Sequence, residues 1–372
     1  MQPFNFSQNL KGIGVVLRAS LNVPIQNGSV SNPFRLEQAI GTIERLSKTG
    51  ARIIIVGHIG REKTDSLKPV FNELKKRAAV PIAFSEQVVG VRAYEAAKGL
   101  APGSALLLEN VRREAGETEN SDAFAEKLAA FGSLYINDAF SDSHRAHASI
   151  VGVPEHIRGF TGPAFMKEFD GITPALNPKK PSIAIVGGAK FGTKEPLVRT
   201  LLQKYDHVVV GGALAHDFFI AKGLEVGKSL ASRTGISPDL LDNAKIILPQ
   251  DVVVESNGEI ETKNVEDVSP GDSILDIGPH SLAALEPLVK NASSILWNGP
   301  LGNFEKGFTA GTEEFARSVA SSKGHSIVGG GDTVAAIQGL NLNEKFDHVS
   351  TAGGAMLQFI ADGTLVGIEA LN

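Results

Sequence analysis

The chain has 372 residues, of which 42% are hydrophobic and 21% charged, with a formal net charge of −5. The charge argues against a general binder of nucleic acid or of a membrane surface, and zero cysteines exclude disulfides, thiolate zinc sites and a cysteine nucleophile. The length exceeds the roughly 250–300 residues at which a single core stops growing, so two domains are expected.

Short β-branched runs recur at 14–17, 52–56, 105–108, 134–136, 183–186, 207–210, 245–248, 273–277, 294–297 and 326–328. Amphipathic segments such as 35–49, 122–131 and 312–321 lie between them. Buried strands alternating with crossover helices predict an α/β fold built on parallel sheets. The best boundary falls at 163–181, where a helical segment over 164–176 precedes the polar joint Asn177-Pro178-Lys179-Lys180-Pro181. The expected domains are therefore 1–162 and 182–355. No apolar run approaches a membrane span and no secretory signal is evident at the start, so a cytoplasmic location is expected.

Ligands of open α/β sheets sit beyond the carboxyl ends of the strands, so the residues after each run carry the functional information. In the first half these are basic. Arg18 leads into Asn22, Arg35 opens a helix, His58 and Arg61 follow one strand, Arg112 another, and His144-Arg145-Ala146-His147 a third. Guanidinium groups fork to carboxylate and phosphate oxygens, which suits a small, multiply anionic substrate. The second half presents glycines and lysines instead. Gly187-Gly188 precedes Lys190 and Lys194, and Gly211-Gly212, Asn298-Gly299 and Gly329-Gly330-Gly331-Asp332-Thr333 all follow apolar runs. Amides at such turns and helix starts bind phosphate, a carboxylate such as Glu305 suits ribose hydroxyls, and Asp332 could hold Mg²⁺ riding on the phosphate.

Two patterns are weaker than they look. Gly223 to Ser229 resembles a Walker A loop, but its spacer is one residue short and it follows a helical segment. The His144/His147 pair sits beside Arg145 without further ligands, which favours anion contact over a metal. The dinucleotide fingerprint, a protein-kinase catalytic loop and the hydrolase elbow are all missing from the sequence.

The ordered series Leu21-Asn22-Val23-Pro24, His58-Ile59-Gly60-Arg61, Leu108 to Arg112, Asn137 to Phe140, His144 to Ser149, Gly187 to Lys190, Trp297 to Pro300, Gly329 to Asp332, and Ser350-Thr351 with Gly353 to Ala355 resembles the phosphoglycerate kinases over nearly the whole chain. The resemblance implies two Rossmann-like domains joined by a hinge helix over 163–181, a cleft between them, and a tail over 356–372 returning to the first domain. It implies reversible phosphoryl transfer between 1,3-bisphosphoglycerate and ADP, giving 3-phosphoglycerate and ATP, with Mg²⁺ as cofactor, no nucleic-acid or membrane partner, and a monomer. Ser20, Asn22, Arg35, His58, Arg61, Arg112 and Arg145 would hold the phosphoglycerate. Gly188, Lys190, Lys194, Gly212, Asn298, Glu305, Gly330, Gly331, Asp332 and Thr333 would hold the nucleotide. Arg35, Lys190 and Gly331 would be catalytic, and Asp332 the metal ligand.

The chain departs from the family pattern at several positions. Ser20 stands where an aspartate is usual, Phe191-Gly192-Thr193 interrupts the lysine motif without its aspartate, Glu62 replaces a proline, and Ala213 and Ala352 replace glycines. Pro196 follows the lysines where a helix should be starting. These changes motivate two alternatives: a non-catalytic nucleotide-binding relative, and a kinase of a related carboxylic acid.

Overall fold

Alternation of buried side chains along each strand builds the first sheet. The structure is a computed structural model that describes residues 1–189 and 191–372. The first eight strands are β1 (Gly14–Ala19), β2 (Ile25–Gln26), β3 (Ser29–Val30), β4 (Arg52–Val56), β5 (Ile82–Phe84), β6 (Ala105–Leu107), β7 (Leu134–Asp138) and β8 (Arg158–Thr161). Six of them form a parallel sheet in the order β5-β6-β4-β1-β7-β8, while β2 and β3 make a small antiparallel ribbon. Val15, Leu17, Ile53 and Ile55 face one core, and Val16, Ile54 and Val56 face another. Both faces are thus covered, as a parallel sheet requires.

The second set of strands is β9 (Ser182–Val186), β10 (His207–Val210), β11 (Ile246–Ile247), β12 (Asp251–Ser256), β13 (Glu259–Asn264), β14 (Ser273–Ile277), β15 (Ser294–Asn298), β16 (His325–Gly329) and β17 (His348–Val349). A second six-stranded parallel sheet runs β11-β10-β9-β15-β16-β17. Here the structure corrects the expectation of parallel strands throughout, because β14 belongs to a three-stranded antiparallel sheet, β13-β12-β14. The cause is an Asn-Gly hairpin turn: Asn257 and Gly258 have φ of 51° and 88°, the left-handed pair that joins two twisted antiparallel strands. The sheet closes over its own apolar cluster of Phe219, Val226, Val252, Val254 and Ile274.

The chain divides into two compact units, Met1–Phe169 with Thr364–Asn372, and Asp170–Gly363. The division falls inside the helix Pro163–Ile172, which passes into a tighter turn, Thr173–Leu176, at Pro174. The helix Gly354–Asp362 belongs to the second unit, where it packs on the helix Phe191–Lys204. The segment that joins the first unit is therefore Thr364–Asn372, shorter than the 356–372 expected; the Gly367 amide donates to Ser143 O at 2.8 Å. Pro196 is also not in a first turn. The helix Phe191–Lys204 begins five residues earlier, so the proline sits in its interior and removes one amide from the ladder. Among the described residues no helix is long and apolar enough to cross a membrane.

Candidate functional site

In the first sheet, β1 is flanked by β4 on one side and β7 on the other, so the chain order reverses there. The carboxyl ends of these three strands carry Ser20, His58 and the segment after Asp138, which is where a ligand crevice forms in such sheets. Ser20 Oγ lies 2.8 Å from Ser141 Oγ. Asn22 bridges two neighbours: its Oδ1 accepts from the Gly60 amide at 3.0 Å and its carbonyl from Arg35 Nη1 at 2.7 Å. Arg35 projects from the start of the helix Phe34–Lys48. Arg112, in the short turn Val111–Arg113, donates to the Gly60 carbonyl, and Arg145 Nε donates to His144 Nε2 at 3.2 Å.

These groups share one electrostatic neighbourhood. Burial pulls the His58 imidazole down to about 3, so it is neutral at physiological pH. Burial also lowers the Arg112 guanidinium, and the positive charge of Arg145 adds to this. Asp142 is buried within the same group. Desolvation opposes its charge, but the guanidinium groups of Arg18, Arg35 and Arg145 hold its carboxyl below the usual range. Arg61 stands apart. It is exposed, and its amide donates to Asp65 Oδ2 at 3.0 Å. In the His144/His147 pair, His144 accepts from Arg145, and His147 Nδ1 lies 3.6 Å from Glu117. Sequence reasoning missed Asp142, because nothing local distinguishes its carboxylate from a solvated one.

The second sheet reverses between β9 and β15, and the turns after these strands meet. The Gly187 amide donates to Asn298 O at 2.8 Å and the Gly188 amide to Pro300 O at 3.2 Å. A Cβ on Gly187 would stand 2.1 Å from Pro300 O, so only glycine permits this approach. Trp297, fully buried, donates from Nε1 to Gly299 O at 2.9 Å and holds the second turn from below.

A pocket of about 430 Å³ opens against these turns, lined by Gly188, Gly212, Glu305 and Asp332 among the residues expected from sequence. Its apolar wall, which sequence reasoning missed, comes from Phe219, Leu230, Val252 and Ile274. The wall depends on the antiparallel sheet, for which the Asn257-Gly258 turn was the available signal. Lys228 and Ser229 also line the pocket, but not as a phosphate loop at a helix start. Gly227 bridges Ser273, and the Lys228 amide is already bonded to Asp272 O.

Beside the pocket, Gly330 has φ of 100° and caps the helix Gly331–Gly339, leaving the first amides of that helix, including those of Gly331 and Asp332, at the turn. Asn298 Nδ2 and Thr333 Oγ1 are buried without hydrogen-bond partners, and both approach the position a Gly330 Cβ would take, at 3.6 and 3.5 Å. Two orphaned polar atoms at a helix start cost stability, and an anion there would satisfy them. Lys194 Nζ donates to Gly187 O at 2.7 Å. Lys190 lies outside the described residues.

Burial lowers the Lys194 ammonium to about 8. Its charge is present below that pH and lost as pH rises through it, so phosphate affinity should weaken on the alkaline side. The dissociation constant of inorganic pyrophosphate is expected to climb above about pH 8, and Lys194→Arg, which stays charged, should flatten the rise. A flat wild-type profile would show that Lys194 does not contact the phosphates.

Amide-lined turns at the switch point of the second unit, and guanidinium groups at the strand ends of the first, suit anionic, phosphate-bearing ligands. A family profile described as phosphoglycerate kinase matches residues 6–363. The phosphoglycerate kinase of Methylorubrum populi is 41% identical, covering 98% of this chain and 96% of that protein. That of Leptospira biflexa is 38% identical, covering 99% and 98%. The solved phosphoglycerate kinase of Coxiella burnetii superposes with a TM-score of 0.81 at 38% identity, over 98% of this chain and 97% of that one. The Pyrococcus horikoshii enzyme does so at 0.89 and 28%, over 100% and 98%. The chain belongs to the phosphoglycerate kinase family, phosphotransferases with a carboxyl group as acceptor.

Proposed function

We propose that the chain catalyses reversible transfer of a phosphoryl group between 1,3-bisphosphoglycerate and ADP, giving 3-phosphoglycerate and ATP, as a cytoplasmic monomer. The observation that carries the proposal is the second-unit pocket and, beside it, two orphaned polar atoms, Asn298 Nδ2 and Thr333 Oγ1, at a glycine-capped helix start. In this reading the apolar wall takes the base, Glu305 the ribose, and the turn at Gly330, Gly331 and Thr333 the phosphates. Asn22, Arg35, His58, Arg61, Arg112 and Arg145 hold the phosphoglycerate, with Ser20 donating to its hydroxyl.

The chemistry needs no general base, since the attacking carboxylate or diphosphate oxygen is already ionised near neutral pH. It needs in-line positioning and neutralised charge on the transferring group. Arg35 and the helix amides supply positive potential from this chain, and Lys190 joins them on the grounds of family resemblance. Direct transfer also requires that water be kept from the acyl phosphate, which it would hydrolyse.

The residues fit a Mg²⁺ ion that arrives with the nucleotide. Among the described residues no cluster of three or more acidic or histidine side chains could hold a metal alone. Asp332 faces the pocket at the helix start, and its carboxyl is pushed up by burial and by the negative charge of Glu305, which lines the same pocket. Such a site matches an ion shared between one carboxylate and substrate phosphates, whose charge the ion neutralises when bound. Asp332→Asn is expected to raise the Mg²⁺ concentration for half-maximal rate by roughly 10–100-fold. An unchanged Mg²⁺ titration would remove Asp332 from the metal site.

The test of the proposal is steady-state ATP formation from ADP and 1,3-bisphosphoglycerate. Turnover establishes it. A folded protein that binds Mg·ADP without turning over would favour the non-catalytic reading suggested by Ser20 and Thr193.

A further inference from the structure

Arg18, near the end of β1, is 1% exposed and engaged on every side. Its Nε donates to Ser149 Oγ at 2.9 Å and its Nη1 to Ala19 O at 2.7 Å, while Nη1 also lies 3.1 Å from Asp142 Oδ2. Its Nη2 is 3.1 Å from His58 Nδ1. A guanidinium can only donate, so Nδ1 must be the acceptor, and the proton of the neutral imidazole then sits on Nε2. That Nε2 is buried and has no partner. Asp142 Oδ2 is 3.6 Å from Nδ1, beyond a hydrogen bond, and it too lacks a well-formed one. The charged groups facing His58 are Asp142, Arg18, Arg112 and Arg145.

Position 20 and Asp142 belong to the same spot. Ser20 Oγ lies 2.8 Å from Ser141 Oγ, on the residue before Asp142, and Asp142 itself faces Arg18, Arg35 and Arg145. Four arginines gathered without an internal anion would repel one another until substrate arrived. One buried carboxylate holds them together beforehand, at a lower reorganisation cost on binding.

We propose that Asp142 and Arg18 are positioning residues for the phosphoglycerate. Their buried pair fixes His58 with Nδ1 as acceptor and Nε2–H presented to a substrate oxygen, and Asp142 supplies the negative charge that Ser20 does not. The inference rests on the substrate reading of the first unit.

The experiment compares the wild-type protein with Asp142→Asn, Arg18→Lys and the double variant Ser20→Asp/Asp142→Asn. One readout is the ¹⁵N spectrum of histidine-labelled protein, the other kcat/KM for 3-phosphoglycerate beside KM for ATP. Wild-type His58 should show the neutral Nε2–H pattern between about pH 5 and 8, where a free histidine would titrate. Both single variants should lose that pattern, with kcat/KM for phosphoglycerate down about tenfold or more and KM for ATP unchanged. The double variant should recover most of the kinetic loss, which a merely structural aspartate would not allow. If Asp142→Asn does not fold, Arg18→Lys gives both readouts. An unchanged His58 pattern in the single variants overturns the inference. So does a loss shared equally with ATP and not recovered by Ser20→Asp. Absence of turnover in the wild-type protein would sink the substrate reading instead, and the spectra would still decide whether Arg18 and Asp142 set the tautomer.

Discussion

Replacing Gly187 by alanine is expected to abolish nucleotide binding and to destabilise the second unit by about 3 kcal/mol. The new methyl would stand 2.1 Å from Pro300 O and 2.6 Å from Gly299 O, both main-chain atoms that no rotamer change can move. Glycine is required on the other side as well: Gly299 has φ of 98°, and a Cβ there would stand 2.4 Å from Gly187 O. The strain is relieved only by separating the turns after β9 and β15, which breaks the hydrogen bonds from the Gly187 amide to Asn298 O and from the Gly188 amide to Pro300 O. The pocket edge then opens and Asn298 leaves its place beside Gly330. Thermal unfolding and calorimetric titration with ADP check this. Near wild-type ADP affinity in the variant would show that the turns can part without disturbing the site.

Arg35→Ala should lower kcat/KM by about 10²–10³-fold, equivalent to roughly 3–4 kcal/mol of barrier, with little change in unfolding temperature. Arg35 is only partly buried, and its Nη1 bond to the Asn22 carbonyl organises the site rather than a core. In the proposed reaction, the substitution removes a positive group beside the developing charge. Arg35→Lys should recover little, because an ammonium cannot reproduce the forked contact. Lys190→Ala is the matching control for the nucleotide side in the same assay. Full activity in Arg35→Ala would remove that residue from the reaction and leave charge neutralisation to the nucleotide side.

The strands of both parallel sheets were legible because their signal is local. Ile53 to Val56 and Ile183 to Val186 are continuous apolar runs of the kind only a doubly covered sheet accommodates. Less legible were β5 and β8, three and four residues long, and the strand Glu259–Asn264, which is largely exposed and carries no apolar face to register. Pro196 misled for a related reason. Proline ordinarily marks a helix start, and the helix Phe191–Lys204 tolerates it inside because neighbouring packing outweighs one missing hydrogen bond.

The sequence alone determined the α/β class, the two sets of strands and the contrast between arginines after one set and glycines after the other. Those follow from composition within a few residues, and short-range chemistry is written in the chain directly. Only the tertiary structure decided that Gly187 and Gly299 touch, that an antiparallel sheet walls the pocket, and that Asp142 lies against Arg18 and His58. Each of these joins segments far apart in sequence, whose meeting depends on strand order and twist. No local pattern encodes such a contact, because its energy exists only once both partners have been brought to the same sheet edge.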